Sequence, residues 1–437
     1  MSNINPFGHV NAAALATAAA QFGTPLYVYD EAFLIARCRE LLAMPNAFGL
    51  RVRYAMKANA NRSLLQILHE QGIGIDASSL NEARRAHLAG VPLTDIILTT
   101  QEVQQGADMD DLQSMMLQGM QLNICSLRQL YEIGDFAREN GIDLSIRIHP
   151  GAGAGESASR NTGDDYCCFG IHRSDWAAAL AYADDKGLRF TQVHEHIGSG
   201  GDPESWRQNI DLQLGFVEAY FPDAHTVSFG GGLKEARMPD ETAADVAALG
   251  TYAKERVADF ATRTGRKLYM EIEPGTFFLA NAGYAVTEIL DQKCTGESGL
   301  SFLVANGGME INARPLLYGS RHPFYLIRKD GALLSSDWRA ETKDKSDFEA
   351  VLVGRCCESG DAQSLDETGR SLPRRMAQPE TGDLAVIGGA GAYCAAMSPF
   401  NYNSHVQAAE VLHTTDGALR LIRRRQTLEQ IIQNEII

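Results

Sequence analysis

The chain has 437 residues, of which 45% are apolar and 22% charged, and a formal net charge of −16. That length suits two domains rather than one core. The acidic balance argues against nucleic acid and anionic membrane as partners, and no run of about 18 or more uncharged apolar residues offers a membrane span.

The N-terminal stretch is small and apolar with no basic region before it, so no cleaved leader is expected. The eight cysteines include no C-x-x-C pair. The doublets Cys167-Cys168 and Cys356-Cys357 are poorly spaced for a disulfide or zinc, which points to reduced thiols in a cytoplasmic protein.

Taken in chain order, GTPLYVYD near residues 23–30 reads as a strand that precedes the main alternation. Eight strand-like runs follow: RVRYAMK (51–57), GIGIDAS (72–78), DIILTT (95–100), LNICS (122–126), LSIRIHP (144–150), FTQVHEHIGS (190–199), TVSFGGG (226–232) and KLYMEIEPG (267–275). Helical patterns such as SLNEARRAHLAG separate most of them. Such alternation predicts parallel strands with crossover helices, and eight units predict an α/β fold closed into a (β/α)8 TIM-like barrel. An open doubly wound sheet is the competing topology.

After about residue 285 the character changes. LSFLVANG, PFYLIRK, FEAVLVGRCCES, DLAVIGG and ALRLIRRRQ are strands with turns between them, which predicts a C-terminal all-β domain. The polar stretch SGDAQSLDETGRSLPRRMAQPETGD reads as surface loop. The expected division is 1–30 as an N-terminal segment pairing with the β domain, 31–283 as the barrel, and 284–437 as the β domain.

Reactive side chains in a barrel collect at the C-terminal ends of the strands. Those ends supply Lys57, Asp76, Arg147, His196, the run Gly230-Gly231-Gly232 and Glu273. A lysine at such a mouth can bind a carbonyl compound covalently; its plain alternative is a surface lysine with its stem along apolar surface. SFGGGL and HIGSGG, with the hydroxyl of Ser199, are two glycine-rich turns that suit one phosphate. Glu273 suits a protonated heterocyclic nitrogen. His196 suits a flat ring, although a hydrogen-bonded core histidine is the ordinary reading of it alone. Together these side chains suggest pyridoxal 5′-phosphate (PLP), whose ring accepts negative charge from a substrate α-carbon.

The segments YAMKANAN, GIDASSLNEA, HEHIGSGG, SFGGGL, EIEPG, ARPLLYGSRHP, CCESGD and GAYCAAMSPFNYNS, in that order, resemble the fold-type III PLP-dependent decarboxylases. This is the group of diaminopimelate, ornithine and arginine decarboxylases, with an alanine racemase-like barrel and β domain. The last four segments are most similar to the diaminopimelate branch. The resemblance implies that Lys57 carries PLP and that Asp76, Arg147, His196, Ser199, Gly230, Gly231, Gly232, Glu273, Gly275 and Tyr393 line the cofactor. It implies that Cys357 is the proton donor, that Glu358 binds a substrate amine, and that Arg314 and Tyr318 hold the far end of an amino-acid substrate. It also implies a head-to-tail homodimer with shared active sites.

One position departs from that branch: Thr276 follows EIEPG where those enzymes carry an arginine that clamps the distal carboxylate. Threonine offers a hydroxyl and no charge, a loss of roughly 1.5–3 kcal/mol or ten- to hundredfold in affinity. This favours a D-configured diamino acid such as D-lysine or D-ornithine. Alternatives are meso-diaminopimelate, with Arg321 or Arg355 replacing the missing arginine, or a larger siderophore or antibiotic intermediate. An amino-acid racemase would not need the Cys-Glu pair, and a non-catalytic PLP carrier would not need the β domain. His194 and His196 form H-x-H without a convincing third ligand, so no metal is expected.

Overall fold

The computed structural model describes residues 8–151, 161–198, 203–339 and 348–436. Two compact units emerge. One comprises Met1–Ala36, Ala236–Thr242 and Phe278–Ile437; the other comprises Arg37–Glu235 and Ala243–Phe277. Among the described residues no helix is long and apolar enough to cross a membrane, and all eight cysteines are free thiols.

The first strand, β1 (Leu26–Asp30), belongs to the sheet unit. The other unit is a barrel of parallel strands: β2 (Leu50–Ala55), β3 (Gly74–Ala77), β4 (Ile96–Thr99), β5 (Gln121–Ile124), β6 (Leu144–His149), β8 (Phe190–His194), β9 (Thr226–Ser228) and β10 (Tyr269–Ile272). The short strand β7 (Ile171–His172) pairs outside this ring with β6. Each ring strand pairs with the next, and β10 pairs back onto β2, so the ring is closed and the open-sheet alternative fails. These strands are short apolar runs buried along most of their length, as parallel strands covered on both faces must be.

Helices begin where a short polar side chain can take a free backbone N–H: Ser79 accepts from Glu82, Ser126 from Gln129 and Asp245 from Ala248. The helix Val246–Thr264 stops at Gly265, whose φ of 72° suits a residue without a Cβ. Trp176 seals part of the helical layer, edge-on to Phe216 at 4.9 Å between ring centroids.

Several predicted strands end earlier than their sequence runs. β2 stops at Ala55, and Lys57 sits in a single 3-10 turn, Met56–Ala58. β8 stops at His194 and β9 at Ser228, so His196 and the three glycines lie just past the strands. At the mouth, the backbone leaves the ladder while the apolar run continues.

In the sheet unit β1 pairs antiparallel with β11 (Gly283–Cys294). Next come β12 (Ser301–Ala305), β13 (Phe324–Ile327), β14 (Leu333–Ser336), β15 (Glu349–Val353), β16 (Arg374–Arg375), β17 (Leu384–Ile387), β18 (Ala409–His413) and β19 (Leu419–Arg423). The main order is β14-β13-β17-β11-β1-β18-β19, with β12, β15 and β16 branching from β11. Val28, Val286, Tyr325, Val386 and Val411 form its core, covered by Leu15 and Ala18 of the helix Ala12–Phe22.

The sequence reading missed β11, β14, β18 and the N-terminal helix, whose run of alanines carries little periodicity. The polar stretch 359–383 is also more than surface loop. Asp361 and Gln363 are buried, and β16 lies inside it. Asp361 is held because its carboxylate accepts the backbone N–H groups of Met309 at 2.6 Å and Cys356 at 2.7 Å.

Candidate active site

In register, Ala55 lies beside Asp76, Arg147 beside His194, and His194 beside Ser228. Parallel pairing therefore gathers side chains from distant parts of the chain at one end of the barrel. Lys57 is exposed there, between buried Met56 and Ala58. Asp76 is buried, and burial pushes its carboxyl up to about 7; the charge of Glu273 adds to this, and Lys57 and His194 oppose it. Its Oδ1 has no hydrogen-bond partner among the described residues. Arg147 is buried with its guanidinium 5.0 Å over the Phe169 ring.

Glu273 is held from two sides. His194 Nε2 lies 2.7 Å from Oε2, and the Ser228 hydroxyl donates to Oε1 at 3.0 Å. Burial, then Arg147, lowers the His194 imidazole to about 3, so the ring is neutral and its Nε2–H can donate to the carboxylate. Burial raises the Glu273 carboxyl, and the neighbouring charge of Glu271 raises it further. Glu271 has its own partners: Arg53 Nε donates to it at 2.9 Å and Gln192 Nε2 at 2.8 Å. Neither His194 as a partner of Glu273 nor this layer below it was singled out from the sequence. The H-x-H pattern was the only signal for His194, and it was weighed as a metal pair and set aside for want of a third ligand.

His196 Nδ1 accepts the Gly231 N–H at 3.2 Å, which fixes the imidazole against the glycine turn. Gly230 and Gly232 have φ of 63° and 98°. A Cβ on Gly231 would come 2.7 Å from the Glu273 carbonyl oxygen, and one on Gly232 equally close to that of Gly198. The glycines thus serve the close packing of neighbouring strand-end loops. Gly275 and Thr276 follow β10, with Thr276 half-buried. Ser199 lies outside the described residues.

The remaining predicted residues belong to the sheet unit. Arg314 is buried, with its guanidinium 5.7 Å from the Tyr318 ring and 5.8 Å from the Tyr393 ring. Tyr393 has φ of 59°, a strained conformation for a bulky residue that costs about 1–3 kcal/mol and is held by its surroundings. Cys357 and Glu358 are exposed. The Cys357 N–H donates to Asn403 Oδ1 at 2.8 Å, and the Tyr402 hydroxyl donates to Glu358 Oε2 at 3.1 Å. The arginines considered as replacements at position 276 already have anionic neighbours. Arg321 Nη1 binds Asp240 at 2.8 Å, and Arg355 Nε lies 3.4 Å from Glu310.

The mouth offers a primary amine, a buried carboxylate oxygen in need of a donor, and a glycine turn that carries no side chains of its own. Those groups fit the carbonyl, the ring nitrogen and the phosphate of PLP. The model for "Pyridoxal-dependent decarboxylase, pyridoxal binding domain" matches residues 35–280. The chain belongs to the pyridoxal-dependent decarboxylases. A diaminopimelate decarboxylase of Streptomyces coelicolor is 33% identical over 434 residues, covering 98% of this chain and 93% of its own. A crystal structure of diaminopimelate decarboxylase superposes with a TM-score of 0.87 at 31% identity, over 100% of both chains. A variant of the Helicobacter pylori diaminopimelate decarboxylase, solved with L-lysine, gives 0.78 at 25% identity, over 94% of this chain and 96% of that one.

This decarboxylase is therefore a PLP-dependent carboxy-lyase of the diaminopimelate decarboxylase type. When bound, the cofactor supplies a sink for the electron pair left as carboxylate departs as CO2.

Proposed function

We propose that this decarboxylase acts on the D-configured centre of meso-diaminopimelate, releasing CO2 and leaving L-lysine. The observation that carries the reading is the 33% identity with a diaminopimelate decarboxylase over 98% of the chain, which spans both units. The relatives favour this over D-lysine or D-ornithine, the reading that rested on Thr276 alone. Arg314, set between two tyrosine rings, keeps a planar cation suited to a distal carboxylate, and Tyr318 adds a hydroxyl.

In this reading Lys57 holds PLP covalently. Asp76 and Glu273 supply carboxylates near the ring nitrogen. His196 would lie against the ring, Arg147 and Tyr393 would contact the cofactor, and Gly230, Gly231, Gly232 and Gly275, with Ser199 as the resemblance implies, would hold the phosphate. Glu358 receives a substrate amine, and Cys357 Sγ gives its proton to the α-carbon after CO2 leaves. Exposed Cys357 and Glu358 call for a second copy of the chain whose barrel they complete. The acidic charge and free thiols suit the reducing cytoplasm.

Decarboxylation of meso-diaminopimelate, D-lysine and D-ornithine, compared as kcat/KM with CO2 detection, tests the substrate. The proposal expects meso-diaminopimelate to lead by at least tenfold; a clear lead for either D-amino acid overturns it. Mixing inactive Lys57→Ala and Cys357→Ala subunits tests the shared site, and regained activity is expected.

A further inference from the structure

The sheet unit contains a cluster that the reaction does not use. Single ligand atoms of Glu310, Cys356 and His405 all lie within 4.8 Å of one another. Glu310 is buried, at 7% exposure, and the other two are half-buried. Glu310 Oε2 accepts the Gly308 N–H at 2.8 Å and stands 3.6 Å from Cys356 Sγ. That spacing approximates one edge of a tetrahedral coordination shell.

His405 has the second requirement of a ligating imidazole. Its ring is hydrogen-bonded to the backbone of Arg355. Metal-bound histidines use such a bond on one nitrogen to orient the other. Arg355 Nε, 3.4 Å from Glu310 Oε1, leaves the carboxylate's other oxygen facing the thiol.

The donor set is sulfur, nitrogen and one carboxylate oxygen. Magnesium and calcium take all-oxygen shells, whereas this mixture suits a borderline cation. One carboxylate and one thiolate supply two negative charges, and the Asp361 carboxylate, which accepts the Cys356 N–H at 2.7 Å, offsets the Arg355 guanidinium. On binding, the Cys356 S–H proton passes to water and the sulfur's electron pair goes to the metal.

We propose that Glu310, Cys356 and His405 form a binding site for one borderline divalent cation of the zinc class per chain, with a fourth position open to water. The three ligands come from distant parts of the chain, so no C-x-x-C or H-x-x-x-H pattern announces them. An ion there would tie Cys356 to the 401–405 segment, which already holds Cys357 through Asn403 and Glu358 through Tyr402. Its effect on catalysis rests on the roles proposed above for Cys357 and Glu358; the site itself does not.

The test uses untagged holoenzyme, stripped with a chelator and titrated with Co2+, with Zn2+-loaded protein as the blank so that cofactor absorbance cancels. One equivalent per chain is expected, with a thiolate-to-cobalt charge-transfer band and the intense visible bands of four-coordinate cobalt. Cys356→Ser and His405→Ala should abolish the thiolate band or weaken binding by more than about tenfold, while Cys357→Ser keeps it. Failure to bind one equivalent, or a thiolate band that survives Cys356→Ser, overturns the proposal. X-ray absorption at the zinc edge of the wild-type protein needs no variant. It should show one sulfur at about 2.3 Å and lighter donors at about 2.0–2.2 Å, and a shell without sulfur overturns the site.

Discussion

His194 Nε2 and Glu273 Oε2 lie 2.7 Å apart inside the barrel, with side chains only 1% and 5% exposed. A neutral imidazole here donates to a carboxylate whose other oxygen is held by Ser228. The pair holds the carboxyl at a fixed place in a dry site; burial raises it to about 7, and a cationic partner beside it would favour its charged form, which acts most strongly in such surroundings.

Glu273→Gln preserves shape and removes that charge. Its kcat should fall by about 10²-fold or more, with the cofactor still bound. His194→Gln retains a donor and should keep most activity. His194→Leu leaves Ser228 as the described partner of Glu273 and should lower stability by about 1–3 kcal/mol. Steady-state rates and melting curves on the same preparations separate the two effects.

Arg53 and Glu271 form a buried ion pair beneath this layer, with side chains 0% and 1% exposed. Glu271→Leu strands a buried guanidinium and should cost about 3–5 kcal/mol in urea unfolding. The double change Arg53→Met with Glu271→Leu should recover much of that loss, because no unpaired charge remains.

Asp76 makes the cofactor-free protein respond to pH. Its folded carboxyl holds a proton up to about 7, above the ordinary value of about 4. Folding therefore takes up a proton between those values, and this contribution to stability is present below about 4 and lost as pH rises through 7. The full difference is at most about 4 kcal/mol. His194, lowered to about 3, acts in the opposite sense below about 6.5. The informative quantity is thus the wild-type profile minus that of Asp76→Asn. Melting temperatures from pH 5 to 8 should show Asp76→Asn gaining relative to wild type as pH rises.

Thr276→Arg adds a guanidinium at the position where related enzymes clamp a carboxylate. Affinity for meso-diaminopimelate should rise about ten- to hundredfold, with no comparable gain for D-lysine. The two KM values, measured on wild type and variant, decide it. A parallel gain for both substrates would place position 276 away from the distal carboxylate.

Much of this was legible along the chain. Eight short apolar runs alternating with helical patterns are enough to indicate a parallel barrel, because strands covered on both faces must be apolar throughout. Lys57, Asp76, Arg147, His196 and Glu273 could be named because chemistry at strand ends follows local order. Even so, the run to residue 57 hid a strand that stops at Ala55, since apolar character continues through the turn that presents Lys57.

The order of the barrel strands, the change to a sheet-rich second half and the side chains available at each strand end could thus be read along the chain. These follow from local periodicity and residue chemistry. Which of those side chains meet is set by the folded chain. His194 finds Glu273 across 79 residues, Arg53 finds Glu271 across 218, and Cys356 finds Glu310 across 46. The first two pairs depend on strand register and closure of the ring and the third on the fold of the sheet unit, and none of these leaves a pattern in neighbouring residues.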